Sequence, residues 1–119
     1  MNATFIYTTP FTAWWREYRL DDETLRVLEL AIQRNPEAGV VMAATGGLRK
    51  LRMADPRSGS GKSGGMRVCY AWLPEFEVVY MVIVFAKNVK ANFDAQEKAE
   101  ARALLAQMYM TLKKQRRHR

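Results

Sequence analysis

Gly46-Gly47-Leu48-Arg49-Lys50-Leu51-Arg52 and, further on, Gly64-Gly65-Met66-Arg67-Val68-Cys69-Tyr70 read as two β-strands that carry cations. From Leu48 to Ala54 the residues alternate: Leu51 and Met53 point one way, Lys50 and Arg52 the other. Met66 to Leu73 is apolar on both faces, as a central strand should be. Glu77 to Ala86 has the same character, with Val78, Tyr80, Val82 and Val84 expected on one side and Val79, Met81, Ile83 and Phe85 on the other. Pro74-Glu75-Phe76 makes the tight turn between them, so the three strands form an antiparallel meander. Between Arg49 and Arg67 there are six Lys/Arg and one acid, Asp55. Such a concentration of cations, with no metal ligands among them, points to a phosphodiester binder.

Working outward, Thr4 to Thr8 is a short strand that ends at Pro10. Phe11, Trp14, Trp15 and Tyr18 have the i, i+3, i+4, i+7 spacing of a helical core stripe. Asp21 or Asp22 can cap a helix to about Arg34, with Leu25, Leu28 and Ile32 buried and Pro36 ending it. Asp94 and Glu97 have capping-box spacing before a long helix to about Leu112, whose stripe is Ala101, Leu104, Leu105, Met108 and Leu112. The order β-α-α-β-β-β-α predicts an α+β fold, with helices on one face of a small twisted, mainly antiparallel sheet. Residues 1–112 form the single domain, and 113–119 a solvated basic tail.

The 119 residues suit one domain with a sizeable core. A hydrophobic content of 49% argues against disorder. The net charge of +7 favours a polyanionic partner. Residues 17–37 hold six acids against three bases, so the positive charge is concentrated later in the chain. The single cysteine, Cys69, allows no intramolecular disulfide and reads as a small core residue. The N-terminus lacks the pattern of a secretory signal, and Val78 to Ala86 is far too short to span a bilayer, which predicts a cytoplasmic protein with no membrane partner.

Arg57-Ser58-Gly59-Ser60-Gly61-Lys62-Ser63 resembles a phosphate-binding loop, but Pro56 stands where the first glycine is needed and a strand follows where a helix should. Lys62 remains available to touch an RNA backbone. The only histidine, His118, lies in the tail, so histidine-pair nucleases and Ser-His or Cys-His nucleophiles are excluded. No acid pair suited to Mg²⁺ is evident, and the expected chemistry needs no cofactor. It is feasible on RNA, where the 2′-hydroxyl is an internal nucleophile and cations stabilise the charge developing on phosphorus. A lysine crowded by other cations gives up its proton more readily and can act as general base. Lys50, flanked by Arg49 and Arg52, is best placed for that, with Arg67 and Lys87 as expected neighbours.

The element order, the Gly46–Arg52 stretch, the Gly-Lys-x-Gly-Gly-x-Arg run from Gly61 to Arg67, the Tyr70/Trp72 region and Phe85-Ala86-Lys87-Asn88 together resemble toxins of the RelE/ParE superfamily. The similarity covers roughly residues 4–112 and is greatest to the HigB-like branch of bacterial type II toxin–antitoxin modules. It implies a metal-independent endoribonuclease that enters the ribosomal A site and cuts mRNA by 2′-hydroxyl attack. It implies as partners the ribosome, mRNA and a cognate antitoxin with a helix-turn-helix, operator DNA being met only through the antitoxin complex. By resemblance Lys50, Arg52, Arg67 and Lys87 are catalytic, Arg67 as transition-state stabiliser. Arg49, Lys62, Tyr70, Asn88, Lys90 and Phe93 are the expected RNA contacts. The family's tyrosine near the last helix has no counterpart here. Phe93 is nearest, and it can stack on a base but exchanges no proton. The donor to the leaving oxygen stays open between Lys87 and Tyr70. Two other readings fit the fold: a ParE-like gyrase inhibitor, and an RNA-binding protein of this fold without catalysis.

Overall fold

The computed structural model describes residues 2–54, 65–89 and 92–117. Its elements in chain order are β1 (Thr4–Tyr7), α1 (Thr9–Glu17), α2 (Asp22–Arg34), β2 (Val40–Val41), β3 (Arg49–Met53), β4 (Met66–Leu73), β5 (Val78–Ala86) and α3 (Ala95–Arg117). The strands form one sheet in the order β1-β5-β4-β3-β2. The β1–β5 pair is parallel and the other pairs are antiparallel. The expected α+β class and mainly antiparallel meander are therefore present. One strand was not foreseen: β2 holds only two residues, Val40 and Val41, and both side chains are exposed, so neither length nor burial marks it in the sequence.

The helices lie on both faces of the sheet, not on one. Phe11 and Trp15 of α1 and Leu28 and Ile32 of α2 pack with Met66, Val68, Tyr70, Val79, Met81 and Val84. Ala101 and Leu105 of α3 pack with Leu48, Cys69, Ala71, Tyr80 and Phe85 on the opposite side. The physical reason is that β4 and β5 are apolar on both faces, and each face needs its own cover. The face assignment along β5 also differs from simple alternation. A register shift opposite Cys69 and Tyr70 leaves Val82 as an extra residue, since Cys69 pairs with Ile83 and Tyr70 with Met81. Tyr80 thus joins Ile83 and Phe85 on the α3 side, while Val79 and Met81 join Val84 on the other.

Local chemistry starts each helix. The Thr8 hydroxyl accepts from the Phe11 N–H at 3.0 Å and donates to the Val82 carbonyl at 2.6 Å, so one side chain caps α1 and ties it to β5. The Asp21 carboxylate accepts from the Thr24 N–H at 2.8 Å, and the Thr24 side chain together with this bond holds its pKa below the usual carboxylate value. At α3 the capping box closes in both directions: Glu97 N–H to Asp94 at 2.8 Å, and Asp94 N–H to Glu97 at 2.9 Å. Of the α1 stripe, Phe11 and Trp15 are buried, whereas Trp14 is 47% exposed.

The last helix runs to Arg117, past the end expected at Leu112, so most of the predicted solvated tail is helical. Arg116 explains the extension. Its guanidinium donates to the Glu75 carboxylate at 3.2 Å and the Glu75 carbonyl at 2.6 Å, and it lies 4.5 Å from the Phe76 ring centre. Tyr109 adds a third bond to Glu75 at 2.9 Å, which raises the Tyr109 pKa because a phenolate there would face the carboxylate. Among the described residues no helix is long and apolar enough to cross a membrane.

β1 reaches only as far as Met81 along β5, and α1 takes over from there. The Tyr18 hydroxyl accepts from the Ala86 N–H at 3.1 Å, fixing the end of β5 that carries Lys87. Tyr18→Phe is expected to cost about 1 kcal/mol, the net value of one such bond. It should also speed hydrogen exchange at the Ala86 amide well ahead of the Val79 amide, as read by native-state NMR.

Candidate functional site

The pairing of β3 with β4 decides which cations meet. Arg52 stands opposite Arg67 and Lys50 opposite Cys69, so the two-residue period puts all four on one face. It is the α3 face, where Ile83 and Phe85 of β5 continue the two rows. Arg67 keeps only 9% of its surface exposed and donates from Nη1 to the Met66 carbonyl at 3.3 Å. Lys50 is half-buried and Arg52 exposed. Like charges directly opposite across a strand pair repel, and an anion bound between Arg52 and Arg67 would relieve that repulsion.

Lys87 extends this site. Its N–H donates to the Gly65 carbonyl at 3.2 Å, so the β4–β5 ladder runs one step beyond Ala86. Lys87 lies two residues past Phe85, whose partner is Arg67, and Lys87 and Asn88 are both exposed. Phe93 packs on the same side, its ring centre 6.3 Å from that of Phe85. Lys50, Arg52, Arg67, Lys87 and Phe93 are therefore drawn toward one end of one face, and Asn88 follows directly. Lys62 and Lys90 lie outside the described residues, as does the phosphate-loop-like stretch 57–63.

Two expected RNA contacts sit elsewhere. Arg49 pairs with Tyr70 on the face covered by α1 and α2. Tyr70 has no exposed surface, and its hydroxyl donates to the Pro36 carbonyl at 2.8 Å and accepts from the Gly39 N–H at 3.0 Å. Arg49 donates to the carbonyls of Glu37 and Gly39 at 3.2 and 2.8 Å and lies 3.7 Å from the Glu37 carboxylate. A side chain at Gly39 would press to 3.0 Å from both of them. Arg49 and Tyr70 thus hold the segment after α2 against the sheet, and neither faces the cationic site. Tyr70 is removed as a proton donor by the same geometry. Its position at an odd offset from Arg67 was the available signal, since neighbours three apart on a strand face opposite ways.

Cys69 and Phe85 are the wall residues that the motif reading passed over. Burial pushes the Cys69 thiol up to about 12, the Lys50 charge opposing it only in part. Native protein is therefore expected to resist alkylation by iodoacetamide at pH 8, and to label at Cys69 only at the rate of global unfolding, as mass spectrometry with added denaturant would read. Among the described residues no group of His, Cys, Asp and Glu could hold a metal ion.

Comparison with known proteins places this mainly antiparallel α+β fold among small toxins of toxin–antitoxin systems. Residues 5–118 match the family model described as the RelE toxin of the RelE/RelB toxin–antitoxin system. The chain belongs to the RelE toxin family. Among solved structures it resembles a double-arginine mutant of E. coli toxin RelE in the free state, with 19% identity and a TM-score of 0.53, covering 76% of this chain and 88% of that one. It also resembles the intact E. coli RelBE toxin–antitoxin complex at 20% identity and a TM-score of 0.52, covering 71% of this chain and 96% of the other. The isolated E. coli RelE toxin matches at 17% identity and a TM-score of 0.52, covering 87% of this chain and 99% of that one. At such identities the structures speak for the fold.

Proposed function

We propose that this RelE-family toxin is a metal-independent endoribonuclease that cuts mRNA in the ribosomal A site and so inhibits translation. The observation that carries this reading is the cross-strand Arg52–Arg67 pair, with Lys50 on the same face. Lys50 takes the proton of the 2′-hydroxyl as its oxygen attacks the adjacent phosphorus. Arg67 and Arg52 hold the phosphorane oxygens, where charge accumulates. Lys87 gives a proton to the departing 5′-oxygen, leaving a 2′,3′-cyclic phosphate and a 5′-hydroxyl. Phe93 and Asn88 contact the base, and Lys62 and Lys90 the flanking backbone. The Lys87-Asn88 pair supports a place in the HigB-like branch.

The partners follow from the same reading: the ribosome with its mRNA in the cytoplasm, and an antitoxin that holds the toxin inactive, as the RelBE complex suggests by analogy. The test is a translating extract. Added protein should cut mRNA that is being read and leave the same RNA intact when ribosomes are omitted. Inhibition of gyrase without RNA cuts would overturn the proposal, and binding without cuts would reduce the chain to a non-catalytic RNA binder.

A further inference from the structure

β1 stops pairing with β5 at Met81, and beyond that point α1 replaces it. At the handover the Thr8 hydroxyl donates to the carbonyl of Val82, the bulged residue. On the α3 side of the sheet this leaves a cleft of about 550 Å³ between the start of α1 and the first turns of α3. Sites for small ligands run from roughly 300 to 1,000 Å³. Leu48, Ile83 and Leu104 give the cleft apolar surface, Phe93 adds a ring, and Glu97 and Glu100 of α3 line it with carboxylates. Among the described residues its lining includes no lysine or arginine.

The cleft adjoins the cationic site through two residues. Phe93 lines the cleft and packs on Phe85, the cross-strand neighbour of Arg67. Ile83 lines it too, and continues the row that starts with Lys50 and Cys69. Both are half-buried, so each keeps surface for a ligand. Charge changes sign along this path. Glu100 lies one turn after Glu97, whose capping box with Asp94 fixes the start of α3. Glu100 is exposed, and among the described residues its carboxylate has no hydrogen-bond or ion-pair partner.

A carboxylate beside an RNA site repels phosphate, and it favours binding only where it accepts hydrogen bonds from the ligand. Of the four RNA bases, guanine alone offers two adjacent donors, N1–H and the N2 amino group, to match the two oxygens of one carboxylate. An arginine from a protein partner has a similar fork of donors. It would, however, bring another positive charge beside Lys50, Arg52 and Arg67. A base is neutral, and its phosphate is what those cations attract.

We propose that this cleft is a base pocket of the cutting site and that Glu100 is its specificity residue, selecting guanine through the N1 and N2 donors. The proposal rests on the nuclease reading for the place of the phosphate. The test uses the whole chain and fluorescent 2′-O-methyl trinucleotides, which have no free 2′-hydroxyl to attack. Each trinucleotide carries adenine at all positions but one, which holds guanine or hypoxanthine and is varied in turn. Hypoxanthine lacks the N2 amino group. At one position guanine should bind roughly ten-fold tighter than hypoxanthine, the effect of one hydrogen bond to a charged group. Glu100→Ala should abolish that difference, and Glu100→Gln, which keeps the shape, should lose most of it. Both variants lack an acid, so they should bind the all-adenine trinucleotide at least as tightly as the parent does. A parent that binds guanine and hypoxanthine alike at every position would overturn the pocket. So would a Glu100→Ala protein that tightens every trinucleotide equally and keeps the guanine preference, since Glu100 would then be a bystander charge. Cleavage in the translating extract reports the nuclease separately. A parent that cuts mRNA without telling the two bases apart sinks the pocket alone. A parent that tells them apart through Glu100 but cuts nothing sinks the nuclease alone.

Discussion

Arg67→Met is expected to lower mRNA cleavage by about 10²–10³-fold while leaving the protein folded. Arg67 is nearly buried and faces Arg52 across the strand pair. Methionine is unbranched and apolar and fills much of the same space without the charge. The lost group is the one placed to stabilise charge on the phosphorane, and removal of one such donor costs about 10²–10³ in rate. Cleavage in a translating extract and calorimetry on the same preparation check both halves. Lost cleavage together with a large fall in melting temperature would mean that Arg67 serves to hold the sheet together.

Tyr70→Phe should do the reverse: lower stability and leave the chemistry alone. The phenol oxygen is buried and joins the Pro36 carbonyl and the Gly39 N–H. Phenylalanine keeps the ring and strands both backbone groups, at a cost of about 1–3 kcal/mol. Burial also keeps this tyrosine from ionising, raising its pKa although the Gly39 N–H and the Arg49 charge oppose the rise. It has no route to a substrate on the far side of the sheet. Urea denaturation should register the loss, and cleavage per folded molecule at low temperature should match the parent. A variant of normal stability that fails to cut RNA would restore Tyr70 as a proton donor.

The cationic core of the site was legible because strand periodicity is strict over short distances. Lys50 and Arg52 share a face by alternation, and Arg67 needed only the correct register to join them. Arg49 and Tyr70 were misplaced because composition groups them with their neighbours while the two-residue period separates them. The β5 bulge could not be read from Val78–Ala86, where every residue is apolar and nothing marks the extra one. The double-sided sheet was implicit in the two apolar strands and went unused. The length of α3 was hidden for another reason: its final turn is held by Glu75, forty-one residues away from Arg116 in sequence.

The Glu75–Arg116 bracket bears on how the molecule can be handled. α3 begins beside Phe93, near the Arg67 end of β4, and finishes against the turn at the other end of that strand. Its 23 residues make a rigid strut about 35 Å long. A biosensor surface or a fluorophore coupled at the Arg117 end would face away from the Arg67 end, leaving that end turned toward solution. Attachment ahead of β1 serves the same purpose, since Thr4 stands opposite Val78 and its N–H donates to the Glu77 carbonyl at 2.9 Å, beside that same turn. One short turn thus gathers both usable handles at the end of the molecule farthest from the cations.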